Sequence, residues 1–214
     1  MITLNDLKEL FEKKMLYLKN NGENFNWENV DCYANWLAQT HYYVNHSTRL
    51  LALSASRFPI SDQTLHRRFC KHIAEETGHE NLTLLDLKNI DRKICNQPEF
   101  VSTSTFYQTQ YYAIEHESPY AFFSWILMLE GLTVREGLNY YKRAFNAHGE
   151  KCTNFLKVHC EEDPDHLTKA FDALKLVPES ELKTVGKFFE ISCELYSLML
   201  LDCEKSALTL KKIA

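Results

Sequence analysis

The chain contains few residues that would end a helix. Six glycines and five prolines are spread over 214 residues, and between them apolar side chains recur every three or four positions. That spacing places the apolar side chains on one face of an α-helix. No segment shows the regular apolar–polar alternation that is typical of a strand. The sequence therefore predicts an all-α fold.

The helix breakers divide the sequence into about seven helical segments. Asn20-Asn21-Gly22 ends the first segment, Ser118-Pro119 opens the fifth, and Pro178-Glu179-Ser180 opens the last. The predicted helices cover residues 4–20, 27–57, 61–91, 98–116, 119–148, 151–175 and 178–208. No linker or shift in composition separates them, so we expect residues 1–214 to form a single helical bundle domain.

Charge and composition argue against several classes of protein. The formal net charge is -5, and lysines and arginines are scattered rather than clustered, so nucleic acid is not an expected partner. The longest apolar run, residues 121–132, is too short to span a bilayer. Residues 1–14 lack the features of a secretory signal, and the seven cysteines include no C-x2-C pair. We expect a cytoplasmic protein with reduced thiols and no membrane segment.

One predicted helix carries an H-x3-D-x2-H pattern at His159, Asp163 and His166. Residues three, four and seven apart lie over one another on a helix, so these side chains would project from one face. Two imidazoles and a carboxylate in this arrangement are typical of a metal site. Pro164 lies between them and should kink the helix, or it begins a new helix with Asp163 as N-cap.

A single carboxylate interrupts the apolar run of residues 121–132, at Glu130. Burying an ionised carboxylate is costly unless it is paired or bound to a cation. The carboxylate of Glu130 should therefore face either a metal ion or a buried basic partner. Arg135, or a lysine from another helix, is the alternative partner.

The third predicted helix contains a second cluster, His72, Glu76 and His79. Glu76 follows His72 by four residues and precedes His79 by three, so a continuous helix would carry all three on one face. Without His72, the two clusters and Glu130 together offer three imidazoles and three carboxylates. Such inward-facing sets in helical bundles typically hold two iron or manganese ions, although zinc also accepts these ligands. The candidate metal ligands are Glu76, His79, Glu130, His159, Asp163 and His166.

From about residue 41 to residue 176, the sequence resembles the heme-oxygenase-like diiron oxidases and oxygenases. This family is also described as iron-containing redox enzymes and is related to the TenA and pyrroloquinoline-quinone-synthase groups. The resemblance implies a heme-oxygenase-like fold of seven helices, without heme, in which the third, fifth and sixth predicted helices supply the metal ligands. The motifs that carry it are the E-E-x-G-H-E run of residues 75–80, Leu84-Leu85-Asp86-Leu87, Leu129-Glu130-Gly131-Leu132, and His159 with Asp163 and His166.

The sequence departs from part of that family at His72. Many members have a ligand glutamate seven residues before the histidine that matches His79, and here that position is His72. Other members use a glutamate three residues before the histidine, which matches Glu76. We therefore predict Glu76 as the ligand and keep His72 as a substitute ligand or a neighbour of the ligands.

The resemblance implies a non-heme enzyme that binds two ferrous ions and O2 and oxidises a small metabolite, such as an amino acid, a fatty acid or a natural-product intermediate. The carboxylates of Glu76, Glu130 and Asp163 would take part in the reaction by shifting between bridging and terminal binding. No nucleotide-binding motif is visible, so electrons would come from an external donor. The resemblance also implies a homodimer. The alternatives are a metal-free enzyme like the TenA and quinone-synthase groups, and a non-catalytic helical binding protein.

Overall fold

The computed structural model describes residues 2–210, except for the side chains of residues 162–166 and of residue 210. Ten α-helices and no strand occur among these residues, which confirms the predicted all-α fold. The helices are α1 (Leu4–Asn24), α2 (Val30–Val44), α3 (Ser47–Arg57), α4 (Gln63–Glu76), α5 (Glu80–Asn89), α6 (Val101–Tyr112), α7 (Phe123–Leu132), α8 (Leu138–His148), α9 (Asn154–Leu174) and α10 (Glu179–Leu210).

Two of the predicted helices are each divided in the structure. The segment predicted over 27–57 breaks after Val44, where the side-chain amide of Asn45 donates a hydrogen bond to the carbonyl of His41, one turn back. The segment predicted over 61–91 breaks after Glu76. Gly78 there has φ of 101°, a conformation that other residues rarely adopt, so the chain turns between α4 and α5. The prediction that His79 continues the helix of Glu76 was therefore wrong.

The segment predicted over 119–148 is nearly continuous. A π-helical turn at residues 133–137 joins α7 to α8, and a second π-helical turn at 113–117 extends α6. π-Helical turns inside α-helices occur often at functional sites. The turn at residues 133–137 directly follows the helical segment that carries Glu130.

Helix α7 lies in the interior and packs against α1, α9 and α10. All of its residues are buried except Leu129, which is half-buried. The indole ring of Trp125 stacks on Phe106 at 4.3 Å between ring centroids and meets Tyr43 edge to face. Burial on every side explains why the sequence of α7 is apolar throughout, and it places the carboxylate of Glu130 inside the bundle.

Helices α5 and α9 are joined by a buried carboxylate. Asp86 of α5 accepts hydrogen bonds from the backbone N–H groups of Asn154 and Phe155, at 3.0 and 2.9 Å, and from the side-chain amide of Asn154 at 2.7 Å. These groups belong to the first turn of α9, whose N–H groups have no partner within the helix. Asp86 thus caps α9 from a different helix and fixes the two helices against each other.

None of the helices among residues 2–210 combines the length and the apolar character needed to cross a membrane.

Candidate metal centre

Three of the predicted ligands come together in the structure. Glu76 is the last residue of α4, His79 directly precedes α5, and His159 lies in the second turn of α9. One ligand atom from each side chain lies within 4.8 Å of the other two. The Oε2 atom of Glu76 is 3.3 Å from Nδ1 of His79, and the rings of His79 and His159 are 4.9 Å apart between centroids. Two imidazoles and one carboxylate form a set that typically binds non-heme ferrous iron.

The turn at Gly78 brings together Glu76, at the end of α4, and His79, which directly precedes α5. The backbone N–H of Gly78 donates to the carboxylate of Glu80 at 3.1 Å, and the Thr77 hydroxyl donates to the carbonyl of Ile73 at 2.6 Å. These bonds satisfy backbone groups that the break in the helix exposes. Glu76 and His79 are therefore close because of this turn, and not because they share a continuous helix.

The orientation of His159 suits metal binding. Its Nδ1 atom lies 2.8 Å from the carbonyl oxygen of Phe155, and a carbonyl can only accept a hydrogen bond, so Nδ1 carries the proton. In a neutral imidazole, Nε2 is then the nitrogen with the lone pair. A hydrogen bond of this kind from the second ring nitrogen is the usual support of a metal-bound histidine.

The side chain of His72 lies between two carboxylates. Its Nε2 atom is 3.3 Å from Oε1 of Glu76 and 3.2 Å from Oε1 of Glu130. Burial alone would lower the pKa of His72, but hydrogen bonds and attraction from Glu130 and Glu76 outweigh burial and raise the pKa to about 9. Burial likewise acts to raise the pKa of Glu76. Hydrogen bonds from His72 and His79 and the charge of His159 outweigh it and hold the pKa well below the usual 4.5.

Glu130 is buried, with 5% of its surface exposed. The structure shows that Arg135, the alternative partner named from the sequence, contacts Glu12 instead. Among the described side chains, the imidazole of His72 lies beside Glu130 and contacts both Glu130 and Glu76. The interpretation of a salt bridge with Arg135 was therefore wrong.

The side chains of Asp163 and His166 lie outside the described residues, as does that of Pro164. The roles predicted for them therefore stay predictions. The described part of the candidate centre consists of Glu76, His79 and His159, with His72 and Glu130 beside them.

A cavity of about 80 Å³ adjoins these side chains. Its charged or titratable lining groups, apart from tyrosines, belong to His72, Glu76, Glu130 and His159, and no lysine or arginine lines it within the described chain. The other walls are mainly aromatic and aliphatic. They include Trp36, Tyr43, Leu51, Phe122, Trp125, Ile126, Tyr140, Phe155, Leu156 and Tyr196. Such a cavity suits a small, largely apolar ligand next to a polar reacting centre.

The sequence analysis missed the capping role of Asp86. The residue was noted only within a motif of the family resemblance. The sequence around Asp86 resembles that around Glu130, since each is an acidic residue among apolar residues. Asp86 is also completely buried, so its carboxylate needed partners in the same way.

Four histidines outside the candidate centre make hydrogen bonds to backbone carbonyls or to a hydroxyl group. His41 contacts the carbonyl of Glu80, His66 that of Ala55 and His148 that of Trp27, while His46 contacts the hydroxyl of Tyr111. Each of these four rings thus takes part in hydrogen bonding outside the candidate centre.

The sequence matches one known protein family. Residues 34–192 match the family of iron-containing redox enzymes. The chain belongs to that family. The match runs from within α2 to within α10 and includes every candidate ligand, so the donor set lies within the part of the chain that the family shares.

Two solved structures share the fold of this chain. One is a domain of unknown function with a heme oxygenase-like fold from Shewanella denitrificans OS217, with a TM-score of 0.85 and 18% identity over 98% of this chain and 96% of that one. The other is a TenA homolog from Pseudomonas syringae pv. tomato str. DC3000, with a TM-score of 0.79 and 13% identity over 94% and 93% of the two chains. At these identities the likeness shows a heme-oxygenase-like fold. No curated protein matches the sequence significantly.

Proposed function

We propose that this iron-containing redox enzyme is a non-heme iron oxidase or oxygenase that uses O2 to oxidise a small metabolite. The observation that carries the proposal is the meeting of Glu76, His79 and His159 beside an apolar cavity. Iron held by two imidazoles and a carboxylate supplies the activation of O2 when it is bound. Manganese or zinc could bind the same donors.

The donor set fits a ferrous ion in its chemistry. The low pKa of Glu76 keeps its carboxylate ionised. The Nδ1–H of His159 donates a hydrogen bond to the carbonyl of Phe155. The turn at Gly78 and the cap from Asp86 hold the three helix ends in place. The protein therefore orients these ligands by contacts of its own backbone.

The proposal includes a second ferrous ion on the side of Glu130. Glu130 is a buried carboxylate at a short distance from His72, and Glu76 has one oxygen directed to each of His72 and His79. By the family resemblance, Asp163 and His166 would complete the second set of ligands. Glu76, Glu130 and Asp163 would then be the carboxylates that change their binding during the reaction.

The cavity indicates the kind of substrate. Its walls are mainly apolar, and no lysine or arginine lines it within the described chain, so an apolar or aromatic body would lie against Trp125 and Phe155. An amino acid, a fatty acid or a natural-product intermediate remains in the proposal by resemblance. We also propose an external electron donor, because the sequence shows no nucleotide-binding motif. By the family resemblance, we propose that the protein forms a homodimer.

The test is an anaerobic titration of the metal-free protein with ferrous iron, followed by rapid mixing with O2 and recording of visible absorption. We expect iron to bind and a transient absorption band to appear. Both should be lost in His159→Ala and strongly weakened in Glu76→Gln. His148→Ala serves as the matched control, because His148 is also half-buried but contacts the carbonyl of Trp27, away from the centre.

A protein that folds normally but binds no iron under these conditions would contradict the proposal. The metal-free TenA-like enzyme and the non-catalytic binding protein would then be the alternatives to test. Binding of iron without any reaction with O2 would contradict the oxidase while leaving the metal centre intact.

A further inference from the structure

The contacts of His72 bear on how metal ions enter the centre. His72 lies one turn before Glu76 on α4 and is 4% exposed. Its Nε2 atom is nearly equidistant from Oε1 of Glu76 and Oε1 of Glu130, at 3.3 and 3.2 Å. One ring nitrogen therefore contacts both a carboxylate of α4 and a carboxylate of α7.

We propose that His72 acts as an internal occupant of the second metal position, so that the chain binds one ion tightly and a second ion only after His72 moves away. This inference rests on the proposed metal centre, and it concerns the role of one residue of this chain. The first ion would use Glu76, His79 and His159, none of which needs His72 to move.

The geometry supports this role for His72. A divalent ion lies about 2.1 Å from a carboxylate oxygen that binds it. An ion bonded to Oε1 of both Glu76 and Glu130 would therefore compete with Nε2 for the same two oxygen atoms. Because His72 is buried, its imidazole has to find a new position within the packed core before it releases both oxygens. The second ion must then bind more weakly than the first.

A ligand role for His72 predicts the opposite effect of mutation. If Nε2 of His72 bound the metal, its removal would weaken metal binding. If His72 blocks the second position, its removal would strengthen binding of the second ion. The direction of the change in the second dissociation constant therefore distinguishes the two roles.

The experiment is equilibrium dialysis of the metal-free full-length chain against Mn²⁺ and, anaerobically, against Fe²⁺, at one pH and ionic strength. For the wild type we expect one tight equivalent and a second at least tenfold weaker. In His72→Ala the second equivalent should bind at least tenfold more tightly, with the first changed less than about threefold. His66→Ala is the matched control, since His66 lies on the same helix but contacts the carbonyl of Ala55.

Electron paramagnetic resonance of the Mn²⁺-loaded samples supplies a second measurement that does not depend on activity. With two equivalents of Mn²⁺, His72→Ala should show the spectrum of a spin-coupled pair, and the wild type should show mainly isolated ions. His72→Gln keeps a side chain of similar length, and this variant is measured instead if His72→Ala does not fold. Its second equivalent should bind more tightly than that of the wild type.

Equal affinities for two ions in the wild type would overturn the inference. So would weaker or unchanged binding of the second ion in both His72 variants. In either case the first ion and the reaction with O2 would still support the proposed function. Failure of the wild type to bind any metal would overturn both proposals.

Discussion

The carboxylate of Asp86 accepts hydrogen bonds from both the backbone N–H and the side-chain amide of Asn154. The two residues lie in helices that each support one histidine of the candidate centre. His79 directly precedes α5, and His159 lies in α9. The relative position of the two imidazoles therefore depends on a capping interaction between helices.

Replacing Asp86 should destabilise the protein and loosen the centre. In Asp86→Asn, an NH2 group replaces one of the two accepting oxygens and faces the N–H of either Asn154 or Phe155, so one buried donor loses its acceptor and the remaining hydrogen bonds lose the carboxylate charge. We expect a loss of about 2–4 kcal/mol in the free energy of unfolding. Urea denaturation measures this loss, and metal dialysis should show weaker binding of the first ion.

The control for this substitution is Asp172→Asn. Asp172 is an exposed partner of Lys175, so its loss should change stability by less than about 0.5 kcal/mol. Equal stability of the two variants would show that the cap contributes little.

The metal-free protein should lose stability in mildly alkaline solution. The pKa of His72 is about 9 in the folded protein against an ordinary 6.5, so the folded chain holds a proton that the unfolded chain releases. This contribution is fully present below pH 6.5 and is lost as the pH rises through 9. The shift corresponds to at most about 3 kcal/mol.

The measurement is urea denaturation of the metal-free protein at a series of pH values between 6 and 10. His72→Gln cannot titrate and should flatten the decline over this range. A wild type whose decline is no steeper than that of the variant would show that the pKa of His72 is not raised by its two carboxylates.

The substitution Gly131→Ala should destabilise the chain although alanine is the better helix former. An added Cβ atom at this position would lie 2.5 Å from Cε2 of Phe11, whose ring is completely packed in the core. The strain should cost about 1–3 kcal/mol, which exceeds the gain in helix propensity. Thermal and urea denaturation measure the difference.

Gly186→Ala is the matched control. Gly186 also lies inside a helix, but the nearest atoms to an added Cβ are at ordinary contact distances of 3.6 Å or more. This variant should be more stable than the wild type by up to about 1 kcal/mol. If both variants gained stability, α1 would have to pack less closely on α7 than the structure shows.

The substitution Gly78→Ala should weaken metal binding as well as stability. Gly78 has φ of 101°, and forcing alanine into this conformation costs about 1–3 kcal/mol. Relief of the strain would change the turn that brings Glu76 to His79. We expect at least a tenfold weaker first metal equivalent, measured by dialysis.

Gly149 provides the comparison for Gly78, because its φ is 89° and an added Cβ likewise meets no atom within 4 Å. It follows α8 and lies outside the centre. Gly149→Ala should lose similar stability and keep metal affinity. Equal effects of the two substitutions on metal binding would mean that the turn at Gly78 has no specific role.

Local pattern predicted the helical class and most helix positions. The first, sixth and last predicted helices agree with α1, α9 and α10 within a few residues, because apolar spacing and terminal breakers act over neighbouring turns. The break at Asn45 and His46 was not predicted, since neither residue is a strong breaker. Gly78 directly precedes the candidate ligand His79 in the sequence, but only the structure, with its positive φ, showed that a helix ends there.

The sequence by itself determined which side chains needed compensation. An acidic residue inside an apolar helix, Glu130, had to meet a cation or a basic group, and clustered histidines and carboxylates identified Glu76, His79 and His159 as candidates. The partners were decided only by tertiary structure. Glu130 meets His72 rather than Arg135, and Asp86 caps α9, because these contacts join segments far apart in the chain, whose approach depends on packing of the whole bundle.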